Sequence, residues 1–250
     1  MLERVILFLE EVRGVPVLLS MLVLLFKHRE EGSTEPLPAS RYELYEMATR
    51  LAAKEENVLR VLRHVASANQ LAGGDREFTT GLVEKALKTW GKAELTLWRD
   101  QLRTEAGVPL IKTLIDAGGG SDGVYQYRHL SFQEGLFVTG VLMGESKPKS
   151  VWPSEERAVE FLKSPSGANV CRIGGGLLGD KLLPVLAREG VLALKNKDLG
   201  AAGGQALAEL LKRSSAPITS LEYAPHASLN RTLAPLWRGV RSLQPNALAF

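Results

Sequence analysis

The sequence predicts a mainly α-helical fold made of a helical bundle, a winged-helix module with a β-hairpin, and a short α/β tail of leucine-rich-repeat character. Three observations predict it. Apolar residues recur at helical spacing through residues 1–90, two β-rich runs flank a glycine-rich segment near residue 120, and a strand pattern recurs after 29 residues near the C-terminus. With 250 residues, 45% of them hydrophobic, the chain can bury a sizeable core.

Composition narrows the class of protein. The formal charge of +3, from 31 basic and 28 acidic residues, is too balanced to indicate a polyanion partner. The single cysteine, Cys171, excludes an internal disulfide and a cysteine-based zinc site, which favours a reducing, cytoplasmic location. The most apolar run, residues 15–26, is shorter than the roughly 20 residues that cross a bilayer, so we expect no membrane partner.

The bundle is predicted from helix-start signals and apolar spacing. Apolar residues three and four apart predict an amphipathic helix over 2–13. Pro16 suits the first turn of a second helix, because the N–H that proline lacks is not needed there. Ser40 and Glu43 form a capping-box pattern that predicts a third helix over 40–53, and apolar residues continue the helical period after it.

The winged-helix module is predicted from the order helix, helix, hairpin, helix. A helix capped by Thr79 or Thr80 opens it. The other elements are a helix near 94–105, strands near 109–114 and 124–130 joined by a glycine-rich tip at 118–123, and a helix near 132–143.

The tail is predicted from a strand, turn and helix pattern. A strand at 192–194 precedes a helix at 206–211, and residues 221–223 repeat the strand pattern 29 residues later. A second helix is expected at 229–237.

These patterns together divide the chain into four parts. We expect a helical domain over 1–74, a winged-helix domain over 75–143, a linker and helical segment over 144–190, and a leucine-rich-repeat-like tail over 191–250.

The sequence offers no catalytic or metal-binding constellation. The segment GGGLLGDK at 174–181 invites comparison with a phosphate-binding loop, but Asp180 stands where that loop needs a lysine, so we expect a plain turn before a helix. The four histidines are scattered without metal-ligand spacing, and no Gly-x-Ser-x-Gly nucleophile elbow is present. We predict no catalytic residues and no metal site.

A DNA-binding role is the third class of function that a winged helix allows. The helix near 94–105 carries Arg99 and Arg103 beside acidic residues, and the helix near 132–143 has no Lys or Arg. Contacts to DNA phosphates need basic residues on the helices of the module. The charges on these two helices therefore favour packing against protein, and we expect no nucleic-acid partner.

Three blocks of sequence together resemble a known family. They are GVPVLLSMLVLLF at 14–26, LPASRYELY at 37–45 and YRHLSFQE at 127–134. They resemble the helical and winged-helix segments that follow the nucleotide-binding core in NACHT-type STAND ATPases. The repeat at 192–211 is similar to the leucine-rich sensor of that family. The most specific element is the last block, an aromatic residue, any residue, and then His-Leu-Ser-Phe-Gln-Glu.

The resemblance implies roles for two residues. In the family, the proline of the first block packs against adenine, and the winged-helix histidine contacts the β-phosphate of ADP and locks the closed state. The corresponding positions are Pro16 and His129. Without the resemblance, Pro16 only starts a helix and His129 only ends a strand. Phe132 is expected in the core, with Gln133 and Glu134 as a polar pair at a helix start.

One departure from the family limits the activity that we expect. The family's phosphate loop and magnesium-binding acidic strand, the Walker A and B motifs, precede the first block, and here only the predicted helix over 2–13 precedes it. We therefore expect no enzymatic activity from these 250 residues, whereas a longer parent would be an ATPase. ADP or ATP would be a cofactor only if an upstream nucleotide-binding core completed the site.

The resulting prediction is the regulatory and sensing half of a NACHT-like signalling switch. Its expected partners are an upstream nucleotide-binding domain and proteins that bind the repeat-like tail or the helical surfaces. The alternative is a nucleotide-independent protein-interaction scaffold.

Overall fold

The first two helices in the described part of the chain begin where the sequence supplies a local reason. The computed structural model describes residues 14–73, 75–89, 91–103, 110–117, 122–188, 190–194, 199–212, 214–218 and 220–223. Helix α1, Pro16–Glu30, has its proline in the first turn. Helix α2, Arg41–Ala53, starts at a capping box. The Ser40 hydroxyl accepts from the Glu43 N–H at 3.2 Å, and the Glu43 carboxylate accepts from the Ala39 N–H at 2.6 Å.

The chain forms two compact units, residues 1–140 and 141–250. In the first unit, α1 packs on α2, and α2 packs on α3, Glu56–Ala72. Helix α3 is the central helix, since its residues 61–67 are all buried. Helices α4, Thr80–Lys88, and α5, Lys92–Leu97, pack against α3 and each other, and a π-helical turn, Trp98–Leu102, extends α5.

The first unit also contains the predicted hairpin and one strand that the sequence did not reveal. Strands β1, Glu77–Thr79, β2, Ile111–Ile115, and β3, Val124–Tyr127, form an antiparallel sheet in the order β1-β3-β2. Helix α6, Leu130–Leu142, follows β3 directly. The order of helices and strands confirms the predicted mainly helical fold with a small sheet.

An aromatic cluster holds the sheet against the helices. Phe78 of β1 and Tyr125 of β3 pair in register, with ring centroids 5.7 Å apart, and Trp98 meets Tyr125 edge-on at 4.9 Å. The Tyr127 hydroxyl donates to the Leu62 carbonyl of α3 at 3.2 Å. All four rings are buried, so the missed strand β1 is fixed by long-range ring packing, which no local pattern encodes.

The second unit contains the predicted strand, helix and strand of the repeat. Its elements are α7, Pro148–Val151, α8, Glu155–Lys163, α9, Pro165–Leu186, β4, Val191–Leu194, α10, Gly200–Leu211, and β5, Ser220–Tyr223. Strands β4 and β5 are parallel, with Leu192 opposite Leu221, which confirms the 29-residue spacing. Helices α7 to α9 occupy the stretch expected as a linker and helical segment.

Small residues let the helices of the second unit approach closely. Helix α9 contains a break at Gly175, whose φ of 50° and ψ of −141° are non-helical, so it consists of two helices in sequence. A Cβ at Gly179 would collide with the backbone carbonyl of Leu210 in α10. The α9–α10 contact therefore requires a glycine at position 179.

Some expected elements differ in extent, and others lie outside the described residues. Helix α6 begins two residues before the expected start at 132, and the helix expected near 94–105 becomes α5 with its π-helical turn. The helices expected at 2–13 and 229–237 and the hairpin tip at 118–121 lie outside the described part of the chain.

The close contact at Gly179 gives a stability prediction. Gly179→Ala should lower the free energy of unfolding by about 1–3 kcal/mol, because the added methyl group has no space beside Leu210. Urea denaturation followed by circular dichroism measures this change. Gly14→Ala is the control, since a Cβ there meets nothing within 4 Å. Equal stability of the two variants would contradict the packing role of Gly179.

Candidate functional site

Pro16, the predicted adenine contact, lies at the first turn of α1 and is exposed. Leu19, Val23 and Phe26 follow it at spacings of three, four and three residues, so the four side chains share one helix face. The exposed fractions of these three residues are 40%, 67% and 42%. Helix α1 therefore buries one apolar face and presents a second, which we name the Pro16 stripe.

His129, the predicted phosphate contact, lies between β3 and α6 and acts as the N-cap of α6. Its Nδ1 accepts the backbone N–H of Ser131 at 3.2 Å and lies 2.6 Å from the Ser131 hydroxyl oxygen. An Nδ1 that accepts an N–H is unprotonated, so the neutral ring carries its proton on Nε2. Among the described residues, Nε2–H has no hydrogen-bond partner, and the side chain is exposed.

The charge environment of His129 suits an anion. Partial burial lowers the pKa of His129 below its usual 6.5, and the nearby Arg76 cation lowers it further. Arg76 precedes β1, and its carbonyl accepts the Tyr127 N–H at 3.1 Å, which places it beside the end of β3. A neutral imidazole donor next to a guanidinium is a combination that phosphate oxygens accept from.

A buried tyrosine of α2 lies near the His129 cap. Burial raises the pKa of Tyr45, and the side chain of Ser131, the same residue that contacts His129 Nδ1, lowers it by a smaller amount. Helix α2 contacts the helix that carries Pro16, and its Tyr45 lies close to Gly135 of α6. Tyr45 belongs to the second block of the family resemblance, but its role was not expected from the sequence.

Gln133 and Glu134 lie near the start of α6 as expected, and both are buried, whereas Phe132 is not the core residue that the sequence predicted. Gln133 is fully buried and Glu134 is 2% exposed, whereas Phe132 is only partly buried. Gln133 accepts from the Asn69 side-chain amide at 2.9 Å and donates to Gln70 at 3.4 Å. These amides join α3 to α6, and their pairing offsets the cost of burying them.

The glycine-rich segment at 174–181 lies inside α9 and has a structural role. Asp180 accepts from the Ser214 hydroxyl at 2.7 Å and from the Ser215 and Ala216 N–H groups at 2.6 and 3.1 Å. Although burial alone would raise the pKa of Asp180, these hydrogen bonds lower it overall. The carboxylate accepts from the Ser214 hydroxyl and from the backbone N–H groups of Ser215 and Ala216, and it thereby organises that turn.

Two arginines of the first unit are engaged in ion pairs. Arg99 Nε donates to Glu84 at 3.0 Å, and Arg60 of α3 lies 2.9 Å from Glu94. Both arginines are thus directed toward carboxylates.

In the ranges that the structure describes, no three His, Cys, Asp or Glu side chains cluster as metal ligands would.

The lone cysteine is inert in the folded chain. Cys171 is fully buried in α9, and burial raises the pKa of its thiol, with a smaller contribution from Glu209. Nucleophilic or redox chemistry needs an accessible thiolate, which these surroundings disfavour.

Comparison with protein-family models, with curated proteins and with solved structures finds no match to this chain. None of the helices in the described ranges is both long enough and apolar enough to cross a membrane.

Sequence reasoning missed three residues of the candidate site, namely Tyr45, Arg76 and Ser131. For Ser131 a signal existed, because a side-chain acceptor two residues before a backbone N–H at a helix start is a capping pattern. Arg76 and Tyr45 are 53 and 84 residues from His129 in the sequence, and only the folded chain brings them near it.

The electrostatics of His129 can be tested by NMR titration. We expect His129 to titrate below 6.5, and Arg76→Gln to raise its pKa because a neighbouring cation is removed. Arg128→Gln is the control, since Arg128 is an exposed arginine next to His129 in sequence, and this variant should leave the pKa of His129 unchanged. An Arg76→Gln titration curve that coincides with the wild-type curve would refute the pairing.

The turn held by Asp180 can be tested by denaturation at two pH values. At pH 7, Asp180→Asn should lower the free energy of unfolding by about 1–2 kcal/mol, through loss of hydrogen bonds to a charged acceptor. Because the folded state lowers the pKa of Asp180, this stabilisation is present above the unfolded pKa of about 3.9 and disappears as the pH falls through the folded value.

The control is Glu160→Gln, at an exposed pair with Arg157 whose loss should change stability little. If Asp180→Asn and the wild type unfolded at the same urea concentration at pH 7, the proposed role of the carboxylate would be wrong.

Proposed function

We propose that this chain is the regulatory and sensing half of a NACHT-like nucleotide-dependent switch, in which His129 binds the β-phosphate of ADP and Pro16 contacts the adenine. The chain itself supplies binding groups and no hydrolytic chemistry. The nucleotide-binding core that would hold the rest of ADP is a partner of these residues in the proposal, and the repeat-like tail is the surface that binds the sensed protein.

The observation that carries the proposal is the geometry of His129. Its Nδ1 accepts the Ser131 N–H, so the ring proton lies on the exposed Nε2. Arg76 adds a positive charge nearby. A histidine used only as a cap needs neither the exposed donor nor the adjacent guanidinium. Phosphate oxygens accept from both kinds of group.

The Pro16 stripe supports the same proposal from a second direction. An exposed row of Pro16, Leu19, Val23 and Phe26 would be costly to leave in water, and burying such a face against another domain is favourable by about 25 cal/mol per Å². A nucleotide-binding core seated there would place the adenine against the proline ring.

The test uses the native polypeptide with its N-terminus mapped by mass spectrometry, and ADP affinity measured by isothermal titration calorimetry. His129→Gln should weaken ADP binding by about 10- to 100-fold, as expected for loss of a hydrogen bond to a charged group. Lys112→Gln, which removes an exposed charge from β2, should leave the affinity unchanged. A native protein that does not bind ADP, or binds it equally well after His129→Gln, would overturn the proposal.

The second candidate function is a scaffold that binds proteins without nucleotide. Leu114 and Ile115 favour it, because these apolar residues of β2 are 40% and 53% exposed and lie apart in sequence from both predicted nucleotide contacts. Under this alternative, a partner captured by the native protein would bind equally well with and without ADP, and Ile115→Glu would weaken that binding.

A further inference from the structure

Helix α1 has two apolar faces, and the described part of the chain covers one of them. The covered face packs on α2 and consists of Leu18, Met21, Leu22 and Leu25, which are at most 5% exposed. The Pro16 stripe lies roughly 130° around the helix axis from this face, at about 100° per residue. Val23, in the middle of the stripe, is 67% exposed. Because a helix that is apolar on several sides is normally buried on those sides, we expect a second layer over the stripe.

The chain changes direction immediately before α1. Val15 precedes a proline, which disfavours helical backbone at that residue, and its φ of −121° and ψ of 102° are extended. Gly14 before it is exposed, and a Cβ there meets nothing within 4 Å. A helix that ends at residue 13 therefore does not continue α1 in line. It meets α1 through a two-residue turn, which is the connection that joins antiparallel helix pairs.

The segment before this turn has an apolar face of the right length to cover the stripe. Residues 2–13 lie outside the described part of the chain, and their sequence predicts an amphipathic helix. The apolar face of that helix consists of Leu2, Val5, Ile6, Leu9 and Val12. A helix of 12 residues is about 18 Å long, and the stripe extends over about 15 Å from Pro16 to Phe26.

The apolar residues of the segment match those of the stripe in spacing. An antiparallel pair that turns at residues 14 and 15 places Val12 opposite Leu19, Leu9 opposite Val23, and Val5 opposite Phe26. Glu10 would then lie near the N-terminal end of α1, where a carboxylate is favourable and whose first turn carries no acidic residue of its own. A two-residue connection also gives the segment an effective concentration of millimolar order, which favours it over a second copy of the chain.

We infer that residues 2–13 fold back on α1 as an antiparallel helix and cover Leu19, Val23 and Phe26 of the Pro16 stripe. The docking of the segment does not depend on the proposed function, whereas one consequence of it does. The segment and a nucleotide-binding core would bury the same side chains, so they compete for the stripe. The fraction of chains in which the segment is released therefore limits the apparent affinity of the stripe for such a core.

Disulfide formation in the full chain tests the pairing of the segment with the stripe. Leu9→Cys combined with Val23→Cys should form an intramolecular disulfide, because a disulfide needs Cβ atoms about 3.5–4.5 Å apart. Glu11→Cys combined with Val23→Cys is the control, since Glu11 lies on the opposite face of the segment. Peptide mapping without reductant should find the first disulfide about tenfold more often than the second. The native Cys171 is fully buried and does not compete.

Thiol labelling tests whether the segment covers the stripe. Val23→Cys should react with a maleimide about tenfold more slowly than Leu24→Cys, because only an accessible thiol reacts. Without the segment the order would be reversed, since Val23 is 67% and Leu24 43% exposed. Adding Leu9→Glu to Val23→Cys should restore fast labelling, because it places a carboxylate in the contact. Leu7→Glu is the matched control, the same change on the opposite face of the segment, and should leave labelling slow.

The outcomes separate this inference from the proposed function. Equal disulfide yields from the two cysteine pairs, or fast labelling of Val23→Cys in a monomer, overturn the docking of the segment and leave the stripe open to a nucleotide-binding core. A disulfide that joins two chains through Val23→Cys, with a dimer in light scattering, overturns it in favour of a second copy. The expected disulfide and slow labelling, in a native protein that does not bind ADP, support the docking and overturn only the proposed function.

Discussion

The start of α6 imposes the constraint on which the candidate site depends. The first N–H groups of a helix have no partner within the helix and need an acceptor from outside it. Here His129 supplies that acceptor through Nδ1, which leaves Nε2 as the protonated nitrogen and directs it away from the helix. One capping bond therefore sets the orientation, the tautomer and the donor character of the imidazole. The proposed contact with phosphate follows from a requirement of helix formation.

The residues after the cap explain why α6 keeps a single position in the first unit. Gln133 is paired with side-chain amides of α3, and Tyr45 of α2 lies against Gly135. A buried amide that loses its partner costs about 1–3 kcal/mol, so displacing α6 by even a fraction of a turn is unfavourable. An all-apolar contact would tolerate sliding more readily. The polar pairs thus specify where His129 stands relative to α3.

Local sequence patterns were sufficient for much of the fold. The capping box at Ser40, Pro16 in the first turn of α1, and the 29-residue spacing of β4 and β5 are all found as expected, because each depends on residues that are near one another or repeat at a fixed interval. Local patterns also predicted the two strands of the hairpin. Strand β1 was missed because it is three residues long and exists through its register with β3 and the ring contacts of Phe78.

The sequence by itself determined the helical character of the chain, the hairpin and the 29-residue spacing of β4 and β5, while Pro16 and His129 were proposed as site residues from the family resemblance alone. Only the tertiary structure decided which nitrogen of His129 carries the proton, that Arg76 and Tyr45 belong to its surroundings, and that Gln133 is buried. The physical reason is the distance along the chain over which each effect acts. Capping and periodicity act within a few residues, whereas burial and hydrogen-bond direction depend on helices that meet only after folding.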